Sequence, residues 1–329
     1  MMIYAGIDEA GYGPLFGPLV VGRAVFGLKH FSSSDAPPGQ ALWKHLEDVI
    51  ATTIGKRKGR IVVNDSKKLH SKSSGTKHLE FGVLLFSELA GVAVDRVDRW
   101  LDGMGEKSHR QLDALPWYQA ADDRPWRALP RNWTDGEMAI ARSMLKRAAD
   151  REGFEVLDLG ASLVFEDRFN QMVKATRSKA STNFTFVMGH LRSIWDRYGE
   201  QHPVVITDRQ SARMRYRELL AMSFDNANIQ IMEETDSCSA YRIESKSRSM
   251  TVQFEVEADG NHMPVALASM ISKFSRELMM ARFQAWFTER APDVKPTAGY
   301  GSDGKRFWTE IEPLLPELSI DGSQLKRAR

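Results

Sequence analysis

A single cysteine, Cys238, stands among 329 residues. One thiol excludes an intrachain disulfide framework and a cysteine-rich zinc site. In its polar setting, Asp236-Ser237-Cys238-Ser239-Ala240, it reads as a bystander. Long hydrophobic runs are missing as well. The best of them, Leu15 to Leu28, is interrupted by Arg23 and falls short of the roughly 18 residues a membrane span needs. No basic-then-apolar leader is present, so the expectation is a soluble, cytoplasmic protein with no membrane partner. There is no internal repeat, no low-complexity tract and no recognisable constellation among the 8 histidines. Charge of one sign is also lacking. The 45 Lys+Arg nearly balance 43 Asp+Glu, and a net +2 does not by itself announce a nucleic-acid partner.

What is present is ordinary globular composition, 42% hydrophobic and 27% charged, which excludes disordered and fibrous classes. The length suits about two units, or one large unit carrying an insertion. Charge is unevenly placed. Lys56-Arg57-Lys58-Gly59-Arg60, Lys67, Lys68, Lys72 and Lys77 form one basic stretch, and Lys326-Arg327-Ala328-Arg329 another. Such patches suit a phosphate backbone when they share a face, and a solvated loop otherwise.

Apolar runs at Ile3–Ile7 and Leu19–Phe26, joined by Gly11, Gly13, Pro14, Gly17 and Pro18, predict a β-hairpin. The spacing of Leu42, Leu46, Val49 and Ile50 predicts a helix over 42–54, and Ile61-Val62-Val63 a strand. A helical pattern resumes over 78–99. From Trp100 to Trp133 the chain carries four of its 8 tryptophans with Pro116, Pro125 and Pro130, an inserted, mostly irregular lobe. Its tryptophans suit a small hydrophobic core, or stacking on bases. Helices are expected over 135–151, with Asp135 as the cap, over 183–198, and over 263–290, with a last one from near Lys305. Strands are expected at Val204–Thr207, and as a pair at Ile229–Met232 and Thr251–Val256. Strands followed by alternating helices and strands argue a mixed α/β sheet covered by helices.

The most informative segment is Gly6-Ile7-Asp8-Glu9-Ala10-Gly11-Tyr12-Gly13-Pro14. Two adjacent carboxylates at the end of an apolar strand need a partner, and a divalent cation is a natural one. Strand alternation sends one to each face, while the following turn leaves both near a sheet edge. Gly11 and Gly13 leave room for a ligand or a backbone to come close.

The string GIDEAGYGPLFGPLVVG resembles the opening motif of the type 2 ribonucleases H (ribonuclease HII and HIII), which cut the RNA strand of RNA–DNA hybrids. Asn64-Asp65-Ser66-Lys67-Lys68-Leu69 resembles the second motif of that family, and Val205-Ile206-Thr207-Asp208 its strand ending in a catalytic aspartate. Residues 268–277, ASMISKFSRE, resemble the helix carrying the last catalytic carboxylate, and Ala298-Gly299-Tyr300-Gly301-Ser302-Asp303 the loop before the final helix.

The resemblance implies an RNase H-like α/β fold: a mixed five-stranded sheet flanked by helices, with insertions and a C-terminal helical extension. The expected catalytic domain spans 1–290, with a Trp/Pro-rich insertion at about 100–155 and a β-rich one at about 212–258. Residues 291–329 form a loop and helix packed on it. It implies catalytic and metal-binding roles for Asp8, Glu9, Asp208 and Glu277, holding two Mg²⁺ or Mn²⁺ ions. It implies substrate contacts from Gly11, Tyr12, Gly13, Lys67, Lys68, Lys273 and Tyr300, and a nucleic-acid partner, an RNA–DNA hybrid or a ribonucleotide-containing duplex. The implied reaction is endonucleolytic hydrolysis to 5′-phosphate and 3′-hydroxyl ends. Two hard cations held by carboxylates roughly 4 Å apart suit that chemistry on physical grounds. Ser269, Lys273 and Glu277, spaced i, i+4, i+8, fall along one helix face, where Lys273 and Glu277 also make a plain surface pair. The oligomeric state is open, with a monomer favoured.

The sequence departs from the family in three places. Glu277 replaces the usual Asp, Tyr12 replaces an Arg or Lys, and the 69 residues from Asp208 to Glu277 exceed the family norm. Two other readings follow. One is a catalytically impaired nucleic-acid-binding protein on the same fold. The other, more remote, is an actin-like or sugar-kinase ATPase, suggested by Asp8 at a strand end but lacking a second Asp-Gly phosphate loop mid-chain.

Overall fold

A computed structural model describes the chain except for residues 33–35, 56–58, 71–74, 107, 109–114, 120–127, 210–212 and 329. Lys56, Arg57, Lys58, Lys72, Pro125, Trp126 and Arg329, singled out above, therefore lie outside the described residues. Strands β1 (Met2–Ala10) and β2 (Leu19–Leu28) form the expected hairpin, paired antiparallel from Met2↔Leu28 to Ala10↔Val20. Helix α1 (Ala41–His45) stops well before residue 54. Leu46, Val49 and Ile50 keep helical spacing, yet Ile50 pairs in parallel with Ile61, so β3 (Ile50–Ala51) and β4 (Ile61–Val62) make a two-stranded ladder instead. Tertiary pairing overrides a weak local preference here.

Next come α2 (Ser66–Leu69), α3 (Lys77–Leu89), α4 (Val97–Gly103) and α5 (Asp135–Glu152). The cap of α5 is Thr134, not Asp135: its hydroxyl accepts from the Glu137 amide, and the Glu137 carboxylate answers to the Thr134 amide. The chain continues through β5 (Phe154–Val164), α6 (Glu166–Thr176), α7 (Lys179–Tyr198), β6 (Val204–Asp208) and α8 (Arg217–Ser223). It ends with β7 (Asn228–Glu234), β8 (Cys238–Ser245), β9 (Arg248–Glu255), α9 (Met263–Arg290), α10 (Gly301–Ile311) and α11 (Gly322–Leu325).

The main sheet is mixed, with seven strands in the order β5-β2-β1-β6-β9-β8-β7. Strands β1, β6 and β9 run parallel, and the others are antiparallel to their neighbours. The α/β class with flanking helices is as expected; the strand count is seven rather than five. The extra strands are β7 and β8. The expected pair at 229–232 and 251–256 is separated, because β8 lies between β7 and β9. Strand β9 itself pairs along the whole of β6, so the end of the 212–258 segment is integral to the sheet.

Period-two alternation sorts the sheet residues between two cores. Tyr4, Val20, Phe26 and Ile206 face the layer containing α9, while Ile3, Ala5, Ile7, Val205 and Val252 face the layer containing α7. Helix α9 presses flat on β1: a Cβ added at Gly6 would lie 2.2 Å from the Pro264 and Val265 backbone, so nothing larger than glycine fits. The described tryptophans of the inserted segment, Trp100, Trp117 and Trp133, join this same core rather than offering faces to bases. Trp100 is fully buried against Phe274, with ring centroids 5.3 Å apart, and Trp117 packs on Phe287. Trp133 stacks on Phe81 at 4.1 Å. Buried Glu80 ties the segment down by accepting from the amides of Arg131 and Asn132, each at 2.8 Å. The residues after α9 also add to the core, through Phe307, Ile311 and Leu325.

Candidate active site

The three parallel strands end at one edge of the sheet, and each end carries an acid. Strand β1 delivers Asp8 and Glu9, and β6 ends at Asp208. Beyond β9, the turn Ala258–Gly260 carries Asp259. The carboxyl edge of parallel strands is where open α/β sheets place their ligands. Asp8 and Asp208 fall on the α9 side of the sheet by alternation, and Glu9 on the other.

Asp8 is buried, 6% exposed. Burial, then the charges of Glu9 and Asp208, and further off Asp259, hold its carboxyl well above the ordinary carboxylate range; the Ser269 hydroxyl works the other way. Its Oδ1 accepts from the Glu9 amide at 2.7 Å, and its carbonyl accepts from Ser272 Oγ at 2.9 Å, which ties β1 to α9. Asp208 is raised by burial too, although its Oδ1 accepts from the Ala258 amide at 3.0 Å. That bond fixes the turn bearing Asp259. Burial and the neighbouring charges of Asp65 and Asp208 push Asp259 up to about 6.

Helix α2 brings in the second sequence motif. Asp65 caps it, accepting from the Lys67 amide at 2.9 Å, and Ser66 Oγ accepts from Ser269 Oγ on α9 at 3.0 Å. Burial would lower the Lys67 ammonium, but Asp65, Asp8, Asp259 and Asp208 outweigh it and hold Lys67 above its usual value. Lys67 is thus the cation of a carboxylate cluster. Lys68, next along the same turn, is exposed and lines a separate groove with Lys44 and Arg60.

Glu277 lies two helical turns beyond Ser269, about 12 Å along α9. There it pairs with Lys273 Nζ at 2.8 Å and Arg276 Nη1 at 3.5 Å, with His70 Nε2 at 3.8 Å. Burial alone would raise the Glu277 carboxyl, but Lys273 and Arg276 hold it below its ordinary value. Along the stripe of Ser269, Lys273 and Glu277, Ser269 acts on Asp8, and Lys273 and Glu277 pair with each other. Asp259, not among the residues singled out in the sequence, adds a further carboxylate beside Asp65 and Asp208.

The glycine-rich loop after β1 rests on buried cations. Gly11 takes φ +83°, and a Cβ there would meet the Arg276 side chain at 2.7 Å, so only glycine fits. Arg276, fully buried, donates through Nη2 to the carbonyls of Phe16 (2.9 Å) and Ala298 (3.1 Å). Arg327, 2% exposed, donates to the carbonyls of Gly11 and Tyr12 and stacks over Phe169 at 3.8 Å. Glu166 accepts from the Gly17 amide at 2.8 Å and from Tyr118 Oη at 2.7 Å, and burial pushes its carboxyl up to about 7. Tyr12 packs its ring against the α7 core, and Gly13 is exposed. The last motif closes the same region: the Leu15 amide donates to the Gly299 carbonyl at 2.7 Å, and the half-exposed Tyr300 ring sits 4.9 Å from the Arg276 guanidinium and 5.9 Å from Lys273 Nζ.

A divalent metal fits the donor set by chemistry. The cluster offers hard carboxylate oxygens that burial, and after it the neighbouring acids, hold above their ordinary range, a condition a divalent cation would relieve. Among the described residues, no three His, Cys, Asp or Glu side chains are already drawn together as a metal cage. No helix among them is long and apolar enough to cross a membrane.

No family model matches the sequence, and no curated protein does. Solved structures do. The ribonuclease HII of Archaeoglobus fulgidus, solved in complex with PCNA, aligns over 100% of this chain and 95% of its own, at 14% identity and a TM-score of 0.42. Ribonuclease H2 of Pyrococcus horikoshii aligns over 98% and 92%, at 17% identity and a TM-score of 0.45. A Bst ribonuclease HIII, solved with Mn²⁺, aligns over 99% of this chain and 66% of its own, at 13% identity and a TM-score of 0.39. The chain has an α/β fold, and ribonucleases HII and HIII are among the solved structures that align with essentially its whole length.

Proposed function

We propose that the protein is a metal-dependent endoribonuclease acting on the RNA strand of RNA–DNA hybrids, or on RNA embedded in DNA. The observation that carries this reading is the meeting of the sequence motifs at one sheet edge, with Asp8, Asp208 and Asp259 electrostatically coupled around Lys67. Asp8, Glu9, Asp208 and Asp259 would hold two Mg²⁺ or Mn²⁺ ions, and Glu277 would not. Such ions, when bound, supply an activated water and neutralise charge building on the leaving oxygen.

The chain's own residues do the rest. Lys67 balances the acids and offers a cation to the scissile phosphate. The Gly11-Tyr12-Gly13 backbone and Tyr300 form the wall against which a ribose can lie, held by Arg276 and Arg327 from beneath. Lys273 is engaged by Glu277 and acts on Tyr300 rather than as a free phosphate ligand. The non-catalytic alternative rested on Glu277 as an odd fourth ligand and on Tyr12. On the present proposal Asp259 takes the place of Glu277, which would remove the first of these supports.

The test is cleavage of an end-labelled RNA–DNA hybrid in Mg²⁺, Mn²⁺ or EDTA. Wild type should cut the RNA strand only with metal. Asp8→Asn and Asp259→Asn should each lose at least about a hundredfold in rate, the scale of one lost electrostatic contact to the transition state, while staying folded because removing a crowded charge relieves repulsion. Full activity in Asp259→Asn would remove that residue from the site, and absence of metal-dependent cutting by wild type would overturn the nuclease reading.

A further inference from the structure

Beside the carboxylate cluster lies an open groove of about 540 Å³, whose wall includes Lys44, Arg60 and Lys68. Among the described residues none of the three cations makes an ion pair, and the wall carries one acid, Glu47. The groove also reaches Gly260, the residue after Asp259, so it adjoins the candidate site. The boundary between the two is sharp. Lys67 turns to the acids, and Lys68, one residue on, lines the groove. Negative potential at the sheet edge thus gives way to positive potential within a single turn of α2.

An acid cluster repels a polyanion unless cations nearby draw it in, and a concave wall focuses their field. Cations left unpaired on such a wall gain most from a ligand that is itself a line of negative charges. We propose that this groove binds the phosphodiester backbone of the substrate duplex away from the scissile bond, with Lys44 and Arg60 on successive phosphates. The proposal rests on the nuclease reading for the identity of the duplex, and on the groove alone for its position. Lys44 comes from α1 and Arg60 from the residue before β4, so the small β3–β4 unit, which has no other part in the chemistry, acquires a role as the platform of this contact.

Binding of a fluorescent RNA–DNA hybrid, read by anisotropy in EDTA over a series of salt concentrations, tests it. Each lost phosphate contact lowers the slope of log K against log salt by about 0.9. The Lys44→Ala/Arg60→Ala variant should therefore lose about 1.8 from the slope, bind several-fold more weakly at low salt, and melt at the wild-type temperature. A Lys44→Arg/Arg60→Lys variant should restore the slope. An unchanged slope in the alanine variant would overturn the proposal, whatever the cleavage assay shows. Saturable binding of inorganic phosphate, lost in that variant with the slope intact, would also overturn it, in favour of an isolated anion site. Wild type that binds with the expected slope but does not cut in Mg²⁺ would refute the nuclease reading and support the groove.

Discussion

Two sets of cations flank the carboxylates, and they are built in opposite ways. On one side, Arg276 and Arg327 are buried, and each donates two bonds to main-chain carbonyls of the site loops. On the other, Lys44, Arg60 and Lys68 line a groove and make no ion pair among the described residues. A buried guanidinium must be hydrogen-bonded to repay its desolvation, so it fixes whatever it touches. A cation on an open wall keeps its water until a ligand displaces it. The first set therefore gives shape to the Gly11–Gly17 loop, and the second gives affinity. Substitutions should separate the two: inside, stability and activity should fall together; outside, only binding should change.

The largest effect expected is on the inside. Arg327→Ala removes two charge-assisted bonds from the Gly11 and Tyr12 carbonyls, a stacking contact with Phe169, and the nearest positive charge to buried Glu166. The cost should be about 3 kcal/mol, seen as a lower melting temperature and as faster amide exchange over residues 11–17. Arg327→Lys keeps the charge but not the fork, and should recover less than half of the loss. If both variants melted like wild type, the loop would not depend on the buried cation.

A third buried cation, Arg23, offers a pH test. Arg23 donates to His190 Nδ1 at 2.8 Å and to Asp158 at 2.7 Å, while His190 Nε2 lies 2.9 Å from the Val21 carbonyl. His190 is thus neutral, with its proton on Nε2. Burial, and then the Arg23 charge, depress it to about 3. The unfolded chain takes up this proton near pH 6.5, the folded one only near pH 3. The stability linked to His190 is therefore intact above about pH 6.5 and drains away as pH falls through the window below it, by up to about 1.4 kcal/mol per unit. His190→Gln keeps a donor and an acceptor but cannot titrate. Its urea midpoint should fall less steeply with acid than that of wild type; parallel curves would show that His190 does not carry the acid sensitivity.

The parts of the fold legible in the sequence were those whose pattern is self-contained. The β1–β2 hairpin, α5, α7, β6 and α9 were each expected within a few residues, because apolar periodicity and turn residues are local. Strand β5 was hidden: Asp158, Gly160 and Ser162 dilute its apolar pattern, and only pairing along β2 makes it a strand. Strand β8 was hidden in the same way, with Cys238, Ser239, Arg242 and Glu244 answering to neighbours on both sides. At the site, Asp8, Glu9 and Asp208 were legible as acids ending apolar strands. Asp259 was not, because the turn between β9 and α9 reads as a plain loop until the parallel pairing of β6 and β9 places it beside Asp208. Glu277 was singled out by the resemblance of residues 268–277 to a family helix, and spacing along one helix face adds only that it shares a stripe with Ser269 and Lys273.

Glu277 gives the finest test of the comparison, because it sits between the two regimes: side chain 19% exposed, paired with Lys273 and buried Arg276, and near His70. If its work is to neutralise cations inside, Glu277→Gln keeps the shape and removes a charge whose partners are partly solvated. The expected cost is about 1 kcal/mol, and cleavage of the hybrid should stay within a few-fold of wild type at saturating Mg²⁺. Arg276 would keep its carbonyl partners, Phe16 and Ala298, so the loop should hold. An activity loss in Glu277→Gln as deep as in Asp259→Asn, with the melting temperature unchanged, would instead place Glu277 among the metal ligands and require α9 to turn toward the acids when substrate binds. Measuring the two variants side by side, over a range of Mg²⁺ concentrations, separates these cases: a residue that holds metal shifts the concentration needed for half-maximal cutting, and one that only balances Lys273 and Arg276 leaves it where it was.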